Sequence, residues 1–218
     1  AVLLDLHLQS LTHDGHHGVL TTTAMGFATT LIQFPIGLVA AALSFAVLPT
    51  LSEHVRSGND ERFKQTLLLG FRVGLLLMIP AMVGLLALRT PITYLLFAHA
   101  KFGASGANFT ALALQNYAYQ LPFVVLDQLL IFAFYARKNT KTPVVIGVVC
   151  IAFYLVVALP FYGTIGMPAL AFANTVQNSM HAIILLILLR KAMGSLHIRT
   201  TLPAILKICL AATLMGLV

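Results

Sequence analysis

The chain is short of charge. Only 13 lysines and arginines and 6 acids occur among 218 residues, while 59% of the chain is hydrophobic and its mean hydropathy is +0.94. A soluble domain keeps about a quarter of its residues charged. A chain this poor in charge cannot clothe a water-facing globule, which excludes a soluble enzyme, a coiled coil and a disordered chain. Cysteine is scarce too: Cys150 and Cys209 both lie in apolar runs, where a thiol behaves as a small hydrophobe, so neither a disulfide framework nor a metal site follows. No GxSxG elbow, Walker lysine or dinucleotide glycine motif is present, nor a tandem repeat. The net charge of +7 is not concentrated with interleaved aromatics, so it does not point to nucleic acid. The chain opens on Ala1 without a signal-peptide pattern and stops at Val218 inside an apolar run, and is expected to be part of a longer protein.

What the sequence has is long apolar runs. A helix needs about 20 apolar residues to cross the hydrocarbon core. Complete runs extend from Ala24 to Pro49, Leu67 to Leu88, Phe109 to Ala136, Pro143 to Pro160 and Pro168 to Leu189, and a further one opens near Leu202 and is cut. All are expected to be helical, because an open sheet edge leaves backbone groups unmet in lipid. The expected fold is all-α, a polytopic membrane bundle of about six transmembrane helices. Residues 1–23 are expected to form an outer segment and the tail of a preceding helix, 24–201 a five-helix membrane bundle with short loops, and 202–218 the truncated start of a further span.

Charge orients the bundle. The first, third and fifth connections hold Arg56, Arg62, Lys64, Arg137, Lys138, Lys141, Arg190, Lys191 and Arg199, against Arg89 and Lys101 in the second and fourth. By the positive-inside rule the basic connections are cytoplasmic and residues 1–23 extracytoplasmic. Arg72 and Lys207 lie near cytoplasmic ends and can snorkel. Pro91 to Ala98 is too short to span and reads as an interfacial helix; Asn59 to Thr66 reads as a short surface helix leading into the second span.

Polar residues inside the spans cost most and are therefore the informative ones. Asn174, Gln177, Asn178 and His181 share one face of the fifth span, and Asn116, Tyr119, Gln120 and Asp127 one face of the third. Gly26, Thr30, Gln33 and Gly37 line up on the first. Three such stripes favour a hydrated interior surface, as in a transporter, over ordinary hydrogen bonding between helices, which remains the alternative. Asp127 is the only acid deep in a span. Ionisation there requires a nearby cation or water, which makes it a candidate proton or ion-coupling site; a neutral, hydrogen-bonded acid is the alternative. His181 can titrate or simply hydrogen bond. Pro35, Pro80 and Pro122 dispose the first three spans to kink, and Pro35 is a candidate hinge. His13, Asp14, His16 and His17 have metal-binding composition but no accompanying motif, and read as an exposed polar loop; no metal or other cofactor is expected.

The order of short pieces along the chain is also distinctive. Phe34-Pro35-Ile36-Gly37, Leu48-Pro49-Thr50-Leu51-Ser52, the Ser57-Gly58-Asn59 turn, Leu95-Leu96-Phe97 followed by Lys101-Phe102, Phe134-Tyr135-Ala136-Arg137, Lys141-Thr142-Pro143-Val144 and Gly166-Met167-Pro168-Ala169-Leu170-Ala171 follow one another. In order and spacing they resemble the MurJ/MviN lipid II flippases, over roughly residues 18 to 200. The resemblance implies most of the C-terminal lobe of a fourteen-helix exporter fold, from the tail of helix 7 through helix 13. It implies transport, not enzyme chemistry: flipping of an undecaprenyl-pyrophosphate-linked peptidoglycan precursor across the bacterial cytoplasmic membrane by alternating access. The implied partners are that lipid-linked precursor, membrane lipids, an N-terminal lobe of the same protein and cell-wall synthesis enzymes.

Thr30, Gln33, Asn116, Gln120, Asn174, Gln177, Asn178 and His181 are then the candidate substrate-cavity residues, with none catalytic. Four departures from the family pattern stand out, two of them at Gln33, where the family often has an acid, and near Asp127-Gln128, where it often has a lysine. Thr30 occupies a position where the family carries an arginine, and a pyrophosphate is better held by an Arg fork than by a neutral hydroxyl. His181 stands where asparagine is usual. An exporter of another polyprenyl-linked glycan, a drug/cation antiporter and a non-transporting scaffold for cell-wall enzymes are the rival readings.

Overall fold

The computed structural model describes residues 15–98, 103–165, 167–194 and 201–217. Within them the chain is helical and without strands: α1 (Gly15–Arg56), α2 (Asp60–Ala87), α3 (Arg89–Phe97), α4 (Gly103–Ala118), α5 (Leu121–Ala136), α6 (Lys141–Ile165), α7 (Met167–Met193) and α8 (Leu202–Leu217). Three helices are long and apolar enough to cross a membrane, four when the bent pair α4–α5 is taken as one span. Shorter apolar stretches fall at Lys141–Val156 and Pro203–Gly216 among the described residues. Phe34, Phe45, Leu69, Val144 and Val148 point outward, an apolar exterior that suits lipid and not water.

Several boundaries differ from those the apolar runs predict. α1 extends to 42 residues, running through Pro35 and Pro49 without a break. Its polar ends continue the helix because helix propensity does not stop where hydrophobicity does. It closes at Gly58 with φ +67, where Gly58 N bonds Val55 O (3.2 Å) and Asn59 N bonds His54 O (2.9 Å). That left-handed turn places Asn59 as the cap of α2, its Oδ1 accepting from Arg62 N at 3.0 Å. The expected surface helix from Asn59 to Thr66 is thus the first part of α2 itself and not a separate element.

The third apolar run divides into α4 and α5, which meet at 47°. The physical cause is Pro122, in the first turn of α5: it lacks an N–H to donate back to the preceding turn, and a helix easily restarts at such a residue. Hydrophobicity carries on across the break, which is why the run reads as one span.

α1 packs on α4, α2 and α5, and α2 on α8 and α5. Close approach of α2 depends on Gly70 and Gly74. A Cβ at Gly74 would come within 2.8 Å of Val125 Cγ2, and one at Gly70 within 3.1 Å of Leu129 Cδ2. α6 packs mainly against α7, barely touching α5, and α7 carries that hairpin onto α4 and α5. Outside this core, Phe27 of α1 stacks on Phe97 of α3, centroids 4.2 Å apart, fixing the short helix against the bundle. Arg72 Nε bonds Thr201 Oγ1 at 3.2 Å, tying α2 to the residue before α8.

Candidate functional site

A buried donor or acceptor left without a partner costs about 1–3 kcal/mol, so polar stripes within an apolar bundle must find one another or face water. The stripe of α7 finds α4 and α5. Asn178 Nδ2 donates to Gln120 Oε1 at 2.5 Å and to Asn174 Oδ1 at 3.1 Å. Gln120 and Asn174 are both buried. The helix break supplies the next contact. At the end of α4, Gln120 N turns to Tyr117 O (3.2 Å) instead of continuing the helical ladder. This frees the Asn116 carbonyl, which accepts from Thr175 Oγ1 at 3.0 Å; the same hydroxyl lies 3.2 Å from Ala171 O on its own helix.

Further along α7, three helices meet at one side chain. His181 Nδ1 lies 2.6 Å from Asp127 Oδ1 of α5, and His181 Nε2 lies 3.2 Å from the Pro143 carbonyl oxygen of α6. The two side chains are 12% and 19% exposed. Gly147, in the second turn of α6, borders this corner: a Cβ there would sit 3.7 Å from Nε2, an ordinary contact. The thiol of Cys150, the next turn on, is within electrostatic reach of Asp127.

The structure therefore joins Gln120, Asp127, Asn174, Asn178 and His181 into one polar seam. Other candidates stand apart from it. The Asn116 side chain bonds back to Leu112 O (2.9 Å), so that residue serves the seam through its carbonyl and not its amide. Gln177 is buried, and its Oε1, like the Tyr154 hydroxyl on α6, has no hydrogen-bond partner among the described residues. Thr30 and Gln33 do not join. They are exposed on α1 beside Phe34, and Thr30 Oγ1 donates to Gly26 O at 2.9 Å. Nothing lies within 4 Å of a Cβ placed at Gly26 or Gly37, so this stripe faces open surface along its length. Pro35 sits half-buried in the middle of the continuous α1.

Sequence reasoning missed Thr175, Pro143 and Tyr154. A carbonyl carries no signature in the sequence. Thr175, however, falls between Asn174 and Asn178 at a spacing that could have placed it on the stripe's edge. His13 and Asp14 lie outside the described residues; among the described ones, no group of three or more His, Cys, Asp or Glu is placed to hold a metal.

An all-α, multi-span membrane bundle, with a polar seam between bent helices and a second polar stripe left on an open face, has the construction of a membrane transporter lobe. The family model described as lipid II flippase MurJ matches residues 18–218, and the chain belongs to the MurJ family. It is 32% identical over 185 residues to a probable lipid II flippase MurJ of Bdellovibrio bacteriovorus, covering 85% of this chain and 35% of that relative. It is 30% identical over 199 residues to a probable lipid II flippase MurJ of Haemophilus influenzae, covering 87% and 38%. The chain thus spans about a third of the length of the curated relatives it matches. A solved lipid II flippase MurJ in an inward closed conformation shares the fold, with a TM-score of 0.81 at 24% identity over 98% of this chain and 42% of that one.

Proposed function

We propose that this chain forms most of the C-terminal lobe of a lipid II flippase, moving the undecaprenyl-pyrophosphate-linked peptidoglycan precursor across the bacterial cytoplasmic membrane by alternating access. The observation that carries the reading is family membership over residues 18–218. In this reading the open polar stripe of α1, with Thr30 and Gln33, faces the central cavity and an N-terminal lobe, and Pro35 is its hinge. The seam residues Gln120, Asn174, Asn178 and His181, with the buried Gln177 beside them on α7, line or support that cavity's wall, and Asp127 couples transport to an ion. The basic connections are cytoplasmic and residues 1–23 extracytoplasmic, by the charge asymmetry. Membrane lipids contact the apolar exterior, and cell-wall synthesis enzymes are the partners for the cytoplasmic loops.

One observation favours a second reading, export of another polyprenyl-linked glycan or a drug. Thr30 offers no cation for a pyrophosphate, and its hydroxyl proton is engaged by Gly26 O. The test is complementation of a flippase-depleted bacterium with the complete open reading frame, as wild type and as Thr30→Arg, while precursor on the outer leaflet is tracked. Rescue by the wild type supports lipid II transport without this arginine. An expressed, inserted wild type that fails where Thr30→Arg succeeds assigns the natural protein another cargo.

A further inference from the structure

We propose that Asp127, His181 and the Pro143 carbonyl form a latch that a single proton closes, holding the α6–α7 hairpin onto α5. The inference builds on Asp127 as the coupling residue, names the ion and the moving element, and holds whichever cargo is carried.

The argument is a count of protons. A carbonyl oxygen only accepts, so the contact between His181 Nε2 and Pro143 O at 3.2 Å requires a hydrogen on Nε2. Nδ1 faces a carboxyl oxygen at 2.6 Å. Two lone pairs do not approach this closely, so a proton lies between them. It sits either on the ring, giving imidazolium and carboxylate, or on the acid, giving a neutral pair; both arrangements carry no net charge and the same number of protons.

Removing that proton leaves two choices. If Nε2 keeps its hydrogen, a bare Nδ1 confronts a carboxylate and the bond to α5 is lost. If the hydrogen moves to Nδ1, the bond to α5 survives but a lone pair confronts Pro143 O and the bond to α6 is lost. In either case the site carries a negative charge inside an apolar bundle, which favours opening toward water. No neutral-histidine tautomer satisfies both neighbours once the proton has gone to solvent.

α7 is also bonded at the α4–α5 junction through Asn178 and Thr175, and His181 is the side chain that brings α6 into that fastening. α6 barely touches α5 directly and is carried by α7, so the junction at His181 is where α5, α6 and α7 are fastened together. Other ionisable groups do not take over the role. Cys150 on α6 lies near Asp127 as a buried thiol, Lys141 at the start of α6 is exposed, and Arg137 closes α5 ten positions from Asp127. Arg72 on α2 is bonded to Thr201, and residues 22–52 of α1 include no acid, base, cysteine or tyrosine.

The test uses the protein from the complete open reading frame, purified without cargo, with Cys150 and Cys209 replaced by serine. Spin labels are placed at two outward positions, Leu69→Cys on α2 and Val148→Cys on α6. We expect the label separation to change between about pH 5 and about pH 9, along a one-proton titration curve. Asp127→Asn is expected to abolish the change and keep the low-pH distance, because its amide can donate to Nδ1 while Nε2–H keeps Pro143 O. His181→Gln, read independently should Asp127→Asn not fold, is expected to remove the titration as well. An invariant wild-type distance, or a pH-dependent distance surviving in either variant, overturns the latch. Because no cargo is present, such a failure is distinct from a failure of complementation.

Discussion

The glycines of α1 and α2 allow packing to be separated from helix propensity by subtraction. Alanine is favoured over glycine in a helix by about 0.8–1.0 kcal/mol. Gly26→Ala adds a methyl that meets nothing within 4 Å, so it should gain that term alone and leave stability unchanged or slightly raised. Gly74→Ala gains the same term but forces a Cβ to 2.8 Å from Val125 Cγ2, well inside the ordinary contact range, with Leu43 Cδ1 at 3.5 Å behind it. Valine is branched at its backbone end and cannot swing aside, so α2 must move from α5. Overpacking of this kind costs about 1–3 kcal/mol, roughly a five- to hundred-and-fifty-fold shift in an equilibrium. Gly70→Ala belongs between them, because its neighbour at 3.1 Å is the flexible end of Leu129. Thermal denaturation of the detergent-solubilised protein, followed by loss of the monodisperse peak, should rank the midpoints Gly26→Ala above Gly70→Ala above Gly74→Ala. Equal midpoints for Gly26→Ala and Gly74→Ala would refute the close approach of α2 to α5.

The seam makes its own predictions. Asn178→Leu strands the buried Gln120 and Asn174 amide oxygens and should cost about 1–3 kcal/mol, and Gln120→Leu, which leaves Asn178 its bond to Asn174, should cost less; the double variant should cost less than the sum, and additive denaturation midpoints would mean the 2.5 Å bond is absent. Thr175→Val leaves the Asn116 carbonyl without its donor at the helix break and should destabilise by about 1 kcal/mol, with hydrogen exchange rising around residues 117–120; unchanged exchange there would count against it. Phe27→Ala removes a stacked ring worth about 0.5–1.5 kcal/mol beyond its buried area, and should expose α3 to proteolysis between α2 and α4; a wild-type digestion pattern would show that α3 is held some other way.

How much of this could be read from the sequence depends on the distance over which each interaction acts. The stripe of Asn174, Gln177, Asn178 and His181 was legible because four residues within two turns share a face whatever lies opposite. The partner stripe was legible only in part. Asn116 and Asp127 were placed on one face by extending a straight helix, and the 47° break at Tyr119 and Gln120 separates them into different helices. Pro122 was visible as a kink, but whether a proline bends a helix or divides it depends on what meets the freed backbone. At this break the Asn116 carbonyl is freed as Gln120 N turns to Tyr117 O, and it is met by Thr175, 59 positions further along the chain. Pairing of His181 with Asp127 was invisible for the same reason: the relative register of two helices is set by packing, not by either sequence alone. The Gly70 and Gly74 spacing was in plain view as a small-xxx-small pattern, yet nothing in it named Val125 as the surface it meets.

The two kinds of polar surface in this bundle have different fates for a physical reason. Side chains of the seam meet partners within the chain, so they gain order from folding and resist rearrangement unless a proton is lost. Those of α1 meet none: Thr30 turns to its own helix, and Gln33 stays exposed beside Phe34. Exposed amides and hydroxyls on a membrane helix are stable only against water or another polar surface. In the proposed flippase reading, the open stripe is where a cargo or a second lobe acts, and the seam is where such action is transmitted. Substitutions on α1 should accordingly change transport with little effect on denaturation, and Gln33→Leu is the cleanest case. If Gln33→Leu instead lowers the denaturation midpoint as far as Gln120→Leu does, the division between an acting surface and a transmitting one does not hold.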